Sequence, residues 1–417
     1  MKLHQRSLLY TLLLFVVFQV AAQSGSDYNV KDHYTKTEVD IPMRDGTKLH
    51  TTIYAPKDTS KKYPIIMQRT PYSSRPYGEG QMRSMIGPNQ YLMQQGNIIV
   101  YQDVRGRWMS EGTYDNMRAY IPNKKGEQFD EASDTYDTID WLVKNVDNNN
   151  GNVGMWGISY PGFYSVYSLI DSHEALKAVS PQAGISDFFF DDFHHNGAYL
   201  LSYWRATALF GYQKDAPTTE SWYELPELGT QDQYQFFLDH TPLSTLDEYY
   251  KEDNEFWQQL KDHPNYDEFW QSRGIIQHLD DVKPAVMIVG GLFDAEDLYG
   301  PFNEYRKIEK SSNTYNILVY GPWSHGDWAR ESGRQSVGNV YFGDSLSTRF
   351  QQDYETKFFN HFLKQNGKGS LDLAEAHIYD TGKREWTDYG QWPPKNTVTK
   401  TFYLGDDQEL TTQPTDT

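Results

Sequence analysis

The feature that most limits the fold is the alternation of short apolar runs with stretches of helical spacing. Tyr63-Pro64-Ile65-Ile66-Met67 and Asn97-Ile98-Ile99-Val100-Tyr101 read as strands. Ser133 then reads as a helix cap, with Ile139, Leu142, Val143 and Val146 following at helical spacing, until Asn148-Asn149-Asn150-Gly151 breaks the pattern. Val153-Gly154-Met155-Trp156 is the next strand, followed by a turn at Gly157-Ile158-Ser159-Tyr160 and a helix over about 161–171. The pattern resumes at Ala285-Val286-Met287-Ile288-Val289 and at Asn316-Ile317-Leu318-Val319-Tyr320. Strands alternating with helices predict an α/β fold, a mostly parallel sheet covered on both faces.

Two stretches depart from this pattern. Residues 187–278 are rich in Phe, Tyr, Trp, Asp and Glu and poor in β-branched runs, and read as an inserted helical cap. After a last helix over 347–364, the texture turns to β: His377-Ile378-Tyr379 and Thr399-Lys400-Thr401-Phe402-Tyr403-Leu404 look like strands of a separate domain. The expected layout is a sheet domain over 23–186 and 279–370, the cap between them, and the start of a β domain over 371–417. The chain stops at Thr417, too soon to close a sandwich, which predicts a fragment of something longer.

The N-terminus predicts export. Lys2 and Arg6 precede an apolar run over 8–20, and Val20-Ala21-Ala22 supplies the small residues a signal peptidase reads. Residues 1–22 therefore read as a cleaved signal peptide and the protein as periplasmic or secreted. With zero Cys, the exported chain has no disulfides, no thiol nucleophile and no thiolate zinc site. The formal net charge of −19 opposes binding to nucleic acid, where Lys and Arg must neutralise phosphate, and to anionic membrane surfaces. It is compatible with a cationic small substrate and leaves a homo-oligomer open.

Three strand ends carry the residues of acyl transfer: a nucleophile, a base to take its proton and an acid to orient the base. Ser159 follows a strand and precedes a helix, the setting of a nucleophile elbow. Asp294 and His325 each follow another apolar run, so the order is Ser, Asp, His. The elbow reads Gly157-Ile158-Ser159-Tyr160-Pro161-Gly162, with its second Gly one position later than in Gly-x-Ser-x-Gly. Asp103-Val104-Arg105-Gly106-Arg107 reads as a source of internal ion pairs. His194 and His195 have no partner at metal-ligand spacing, so no metal and no cofactor are expected.

At these residues the sequence resembles the Xaa-Pro dipeptidyl-peptidase superfamily, in the branch of cocaine esterase and the α-amino-acid ester hydrolases. The resemblance rests on Arg69-Thr70-Pro71-Tyr72, Gln102-Asp103-Val104-Arg105-Gly106-Arg107, the elbow, Asp192-Phe193-His194-His195-Asn196-Gly197, Phe293-Asp294-Ala295-Glu296-Asp297 and Gly321-Pro322-Trp323-Ser324-His325. It implies an α/β-hydrolase domain with a helical cap and a C-terminal jelly roll, of which only the beginning is present. It also implies an oxyanion hole made from the Tyr72 hydroxyl and the Tyr160 backbone N–H. Asp192, Glu296 and Asp297 match a three-carboxylate cluster that binds a substrate's α-ammonium group. Against this stand a solvated helix start for Glu296 and Asp297, and the choice between Asp191 and Asp192 as the inward acid. The resemblance implies a small-molecule substrate with a free α-amino group, an ester or labile amide, with acyl transfer to a β-lactam amine as a variant. Cleavage after proline and plain carboxylesterase chemistry are the alternatives, and a binding protein on a decayed scaffold is the reading from another class.

Overall fold

The computed structural model describes residues 28–250, 252–330, 334–405 and 408–414. The expected signal peptide lies outside them. Among the described residues, no helix is long and apolar enough to cross a membrane.

A ten-stranded sheet organises the chain. Its strands are β1 (Tyr34–Pro42), β2 (Lys48–Pro56), β3 (Tyr63–Thr70), β4 (Ile98–Asp103), β5 (Asn149–Ile158), β6 (Leu176–Gln182), β7 (Ala285–Gly291), β8 (Asn316–Gly321), β9 (Ala376–Asp380) and β10 (Glu385–Tyr389). The order is β1-β2-β4-β3-β5-β6-β7-β8-β9-β10. From β4 to β9 every pairing is parallel, while β1, β2 and β10 add antiparallel strands at the two edges.

Alternation along the strands separates two cores, because successive side chains point to opposite faces. On one face Ile65, Met67, Val100, Met155, Val179, Ile288 and Leu318 pack with α1 (Glu131–Asn145), α2 (Tyr160–Tyr167) and α3 (Tyr299–Ser311). On the other, Ile66, Ile99, Trp156, Met287 and Val319 meet Phe350, Tyr354, Phe358 and Phe359. The expected helix over 347–364 is present in three parts: a turn at Leu346–Arg349, wider π-helical turns over Phe350–Glu355, and α4 (Thr356–Lys364). Helix α1 starts one turn earlier than its Ser133 cap predicts. Asp130 is the cap, its carboxylate accepting the Ser133 N–H at 3.0 Å while the Ser133 hydroxyl accepts the Asp130 N–H at 2.8 Å.

Between β6 and β7 the chain leaves the sheet and forms short helices, Thr207–Gly211, Gln233–Asp239, Glu255–Asp262 and Glu268–Arg273. Their aromatic residues, among them Trp204, Phe236, Trp257 and Trp270, join the core of the α1–α3 face.

The expected boundary at 371 is corrected at the C-terminal end. His377-Ile378-Tyr379 does not open a new domain. It lies within β9, which pairs in parallel with β8 and is buried from Ala376 to Tyr379. A buried parallel strand and a sandwich strand carry the same local pattern, and only the pairing separates them. Of the strand expected over 399–404, Tyr403–Leu404 pairs with Leu410–Thr411 in an exposed two-stranded ribbon.

Candidate active site

Ser159 sits between β5 and α2 with φ 66° and ψ −130°, a strained backbone for a residue with a Cβ. Its N–H is held by the Gln182 carbonyl at 3.0 Å. The two glycines explain the shifted elbow motif. A Cβ on Gly157 would lie 2.1 Å from the Pro161 carbonyl oxygen, and one on Gly162 would lie 2.7 Å from that of Gln182. The close approach of α2 to β6 thus falls at Gly162. Pro161 is accommodated because N–H groups in a helix's first turn have no intrahelical acceptor.

Asp294 follows β7 and His325 follows β8. His325 Nδ1 and Asp294 Oδ2 are 2.8 Å apart, and the other Asp294 oxygen accepts the N–H groups of Glu296 (2.9 Å) and Asp297 (3.1 Å). The acid is thereby buried yet satisfied. Burial lowers the His325 pKa, but the bond to Asp294 and the charges of Asp294, Glu296 and Asp192 outweigh it and move it above its ordinary value. The loop after His325 lies against the elbow, since a Cβ on Gly326 would stand 3.7 Å from Ile158 Cγ2. Chain neighbours of Ser159 and His325 thus lie close together.

Tyr160 divides its roles. Its hydroxyl accepts the Met117 N–H (2.8 Å) and donates to Asn116 Oδ1 (2.7 Å), deep in the core. Its backbone N–H, first in α2, has no intrahelical acceptor. Tyr72 meets the Tyr160 ring edge-on, with centroids 6.4 Å apart. Residue 72 is 41% exposed. Desolvation by the surrounding protein, with the charge of Asp192, raises its pKa well above the ordinary phenol value. It therefore remains a hydrogen-bond donor at neutral pH. The carbonyl of Pro71, one residue before it, accepts from Arg107 Nε (3.2 Å) and Trp108 Nε1 (3.0 Å), which fixes the turn that carries Tyr72.

The three expected acids gather beside the His–Asp pair. Asp192 Oδ1 accepts the Tyr203 hydroxyl at 2.8 Å, and the same hydroxyl is 2.6 Å from Glu296 Oε2. Glu296 Oε2 is 3.8 Å from His325 Nε2, and Asp297 Oδ2 is 3.8 Å from His325 Nδ1. Neither oxygen of the buried Asp297 receives an N–H or O–H bond from the described residues. Burial and the facing Asp192 hold its pKa well above the carboxylate range, so a proton between Asp192 and Asp297 is the relief available without a ligand. Asp192 itself is pushed up to about 6, by burial first, with Tyr203 and Asp297 opposing the rise and Glu296 adding to it. Asp191 turns the other way, accepting the Gly300 N–H at 2.6 Å and the Ser186 N–H at 3.2 Å. Glu296, Asp297 and His325 bring their ligand atoms within 4.8 Å of one another.

Arg105 makes the expected ion pairs, to Asp134 (2.7 Å) and Asp45 (2.6 Å). Arg107 does not. It is fully buried, and its guanidinium lies against the rings of Trp222 (4.5 Å) and Tyr114 (4.8 Å) instead. Asp103 accepts from the Ser74 N–H, the Tyr77 hydroxyl and the Met109 N–H rather than from an arginine. Tyr203 was not signalled by the sequence. It lies in an irregular part of the cap, and its partner Glu296 is 93 positions away.

A parallel sheet with a strained Ser turn, and an acid and a His at the ends of neighbouring strands, defines an α/β-hydrolase fold. The chain belongs to the X-Pro dipeptidyl-peptidase (S15) family, whose sequence profile matches residues 45–327. It is 25% identical to a cocaine esterase of Rhodococcus sp. (strain MB1 Bresler), over 88% of this chain and 62% of the relative. Among solved structures, an α-amino acid ester hydrolase superposes with a TM-score of 0.82 at 31% identity, over 96% of this chain and 66% of that one. An aminopeptidase from a marine sediment archaeon, Thaumarchaeota archaeon, superposes at 0.81 and 32% identity, over 94% and 66%. The chain spans about three fifths of the length of the curated relatives it matches.

Proposed function

We propose that the protein is an exported serine hydrolase acting through an acyl-enzyme on esters, or labile amides, of α-amino acids with a free amino group. The observation that carries this reading is the three-carboxylate cluster beside His325, short of donors and therefore suited to an ammonium group. An ammonium fixed there positions its neighbouring carbonyl for attack.

In the proposed mechanism His325 Nε2 takes the Ser159 hydroxyl proton as Oγ attacks the carbonyl carbon. Asp294 holds Nδ1–H and stabilises the imidazolium. The carbonyl oxygen, now an oxyanion, accepts from the Tyr72 hydroxyl and the Tyr160 N–H. Each such donor typically lowers the barrier by about 3 kcal/mol. Collapse breaks the bond to the leaving alcohol or amine, which departs with the proton from His325. Water, deprotonated by the same imidazole, then releases the acid and restores Ser159. An amine in place of water would give acyl transfer.

The pH profile follows from His325. The base must be neutral, and its pKa lies above the ordinary 6.5, so kcat/KM should rise with pH through a limb above 6.5. Turnover of phenylglycine methyl ester should far exceed that of its desamino analogue. Ser159→Ala should abolish both activities and labelling by a fluorophosphonate. Equal turnover of the two esters by the native protein, or no loss of selectivity in Glu296→Ala, would remove the ammonium reading. The likeness to an aminopeptidase favours one second reading, cleavage of an N-terminal residue from a peptide through the same ammonium contact. Amino-acid and Xaa-Pro anilides would separate that reading from ester hydrolysis.

A further inference from the structure

We propose that Tyr203 is a positioning residue that holds Asp192 and Glu296 apart, ready for one kind of cation, a primary ammonium. This rests on the ammonium reading above and deepens it. Tyr203 belongs to the cap, at the end of the turn Leu201–Tyr203, with its ring edge-on to Phe193 at 5.4 Å. Glu296 belongs to the loop that follows β7. The hydroxyl is therefore a clasp between cap and sheet, 2.8 Å from one carboxylate and 2.6 Å from the other.

A phenol has one proton. Burial and the surrounding carboxylates raise the Tyr203 pKa, so the hydroxyl stays a donor, yet it can serve only one of its two neighbours at a time. Neither oxygen of Asp297 has a donor among the described residues. Beyond the proton held between Asp192 and Asp297, the cluster draws one shared proton from a neighbouring side chain, that of Tyr203. A primary ammonium brings three N–H groups and supplies what is missing, while each N-methyl group removes one.

Remove the hydroxyl and the bridge it makes between Asp192 and Glu296 is lost. Mutual repulsion then favours taking up a proton from water, and that proton competes with the ammonium. The other titratable groups around the cluster are His325, Asp294, Tyr72 and Tyr320, with Asp191 behind it. His325 does not replace the lost donor: its Nδ1 is committed to Asp294, and its Nε2 lies 3.8 Å from Glu296 Oε2, beyond hydrogen-bond distance.

The test is Tyr203→Phe in the full chain, with kcat/KM measured from about pH 5.5 to pH 8 on phenylglycine methyl ester and its desamino analogue. The amino-to-desamino ratio should fall about tenfold near pH 6, the scale of one charge-assisted hydrogen bond. That deficit should shrink as rising pH empties the cluster of protons. A ratio like that of the native protein at every pH would overturn the inference, and so would a pH-independent loss shared equally by both esters. Native protein that does not separate the two esters would overturn the ammonium reading and this inference with it. Should Tyr203→Phe fail to fold, judged by loss of fluorophosphonate labelling, the native protein can be tested with the N-methyl and N,N-dimethyl esters. Stepwise loss is expected along that series, and equal turnover of all three would be fatal to the one-proton account.

Discussion

Glu304 is a fully buried acid with no hydrogen-bond partner among the described residues. It projects from α3, and neither of its oxygens receives a hydrogen bond from the described residues. Burial alone raises its pKa to about 8. The folded protein keeps this proton while an unfolded chain loses it near the ordinary 4.5. The contribution of Glu304 to stability therefore declines as pH rises from about 4.5 to about 8 and is flat above. Glu304→Met removes the penalty at similar volume. The variant should gain about 1–3 kcal/mol over the parent at pH 8.5 and much less at pH 5, read from urea unfolding at both values. An equal change at the two values would rule this account out. Residues of this kind show what a sequence can and cannot disclose. Ser159, Asp294 and His325 could be read because each ends an apolar run. Tyr203 and Glu304 could not, since their meaning lies in which carboxylates lack a donor in three dimensions.

At the scale of elements, the elbow depends on how closely α2 approaches β6. A Cβ at Gly162 would lie 2.7 Å from the carbonyl oxygen of Gln182 and 3.2 Å from that of Ala183. Both obstacles are backbone and cannot rotate aside. Gly162→Ala should therefore cost about 1–3 kcal/mol and lower kcat by displacing Ser159. Gly80→Ala, with nothing within 4 Å of the added carbon, should leave the melting temperature unchanged and serves as control. The late glycine of the motif was readable as a departure, though its cause, the position of β6, was not. The capping box of α1 shows the same limit. Asp130 and Ser133 both suit a cap, and three residues of register decide which one starts the helix. In β9 a short apolar run was readable as a strand, but its partner β8 was not.

Over the whole molecule the sequence carries a formal charge of −19. The proposed substrates are cations when their amino group is protonated. The long-range field should therefore raise their encounter rate, an effect that salt screens. Between about 10 mM and 200 mM salt, kcat/KM for the protonated amino ester should fall several-fold, while the uncharged desamino ester changes little. Identical salt responses would show that the charge does not steer substrate.

The divided tyrosine at the head of α2 has a consequence for how the protein tolerates change. In the proposed mechanism its amide serves the oxyanion, while its ring is rooted in the core at Asn116 and Met117. Sequence drift in that hidden anchor reaches the chemistry without altering the shape of the cleft. Two homologues with indistinguishable linings could thus differ widely in speed, and a survey of lining residues alone would miss the reason.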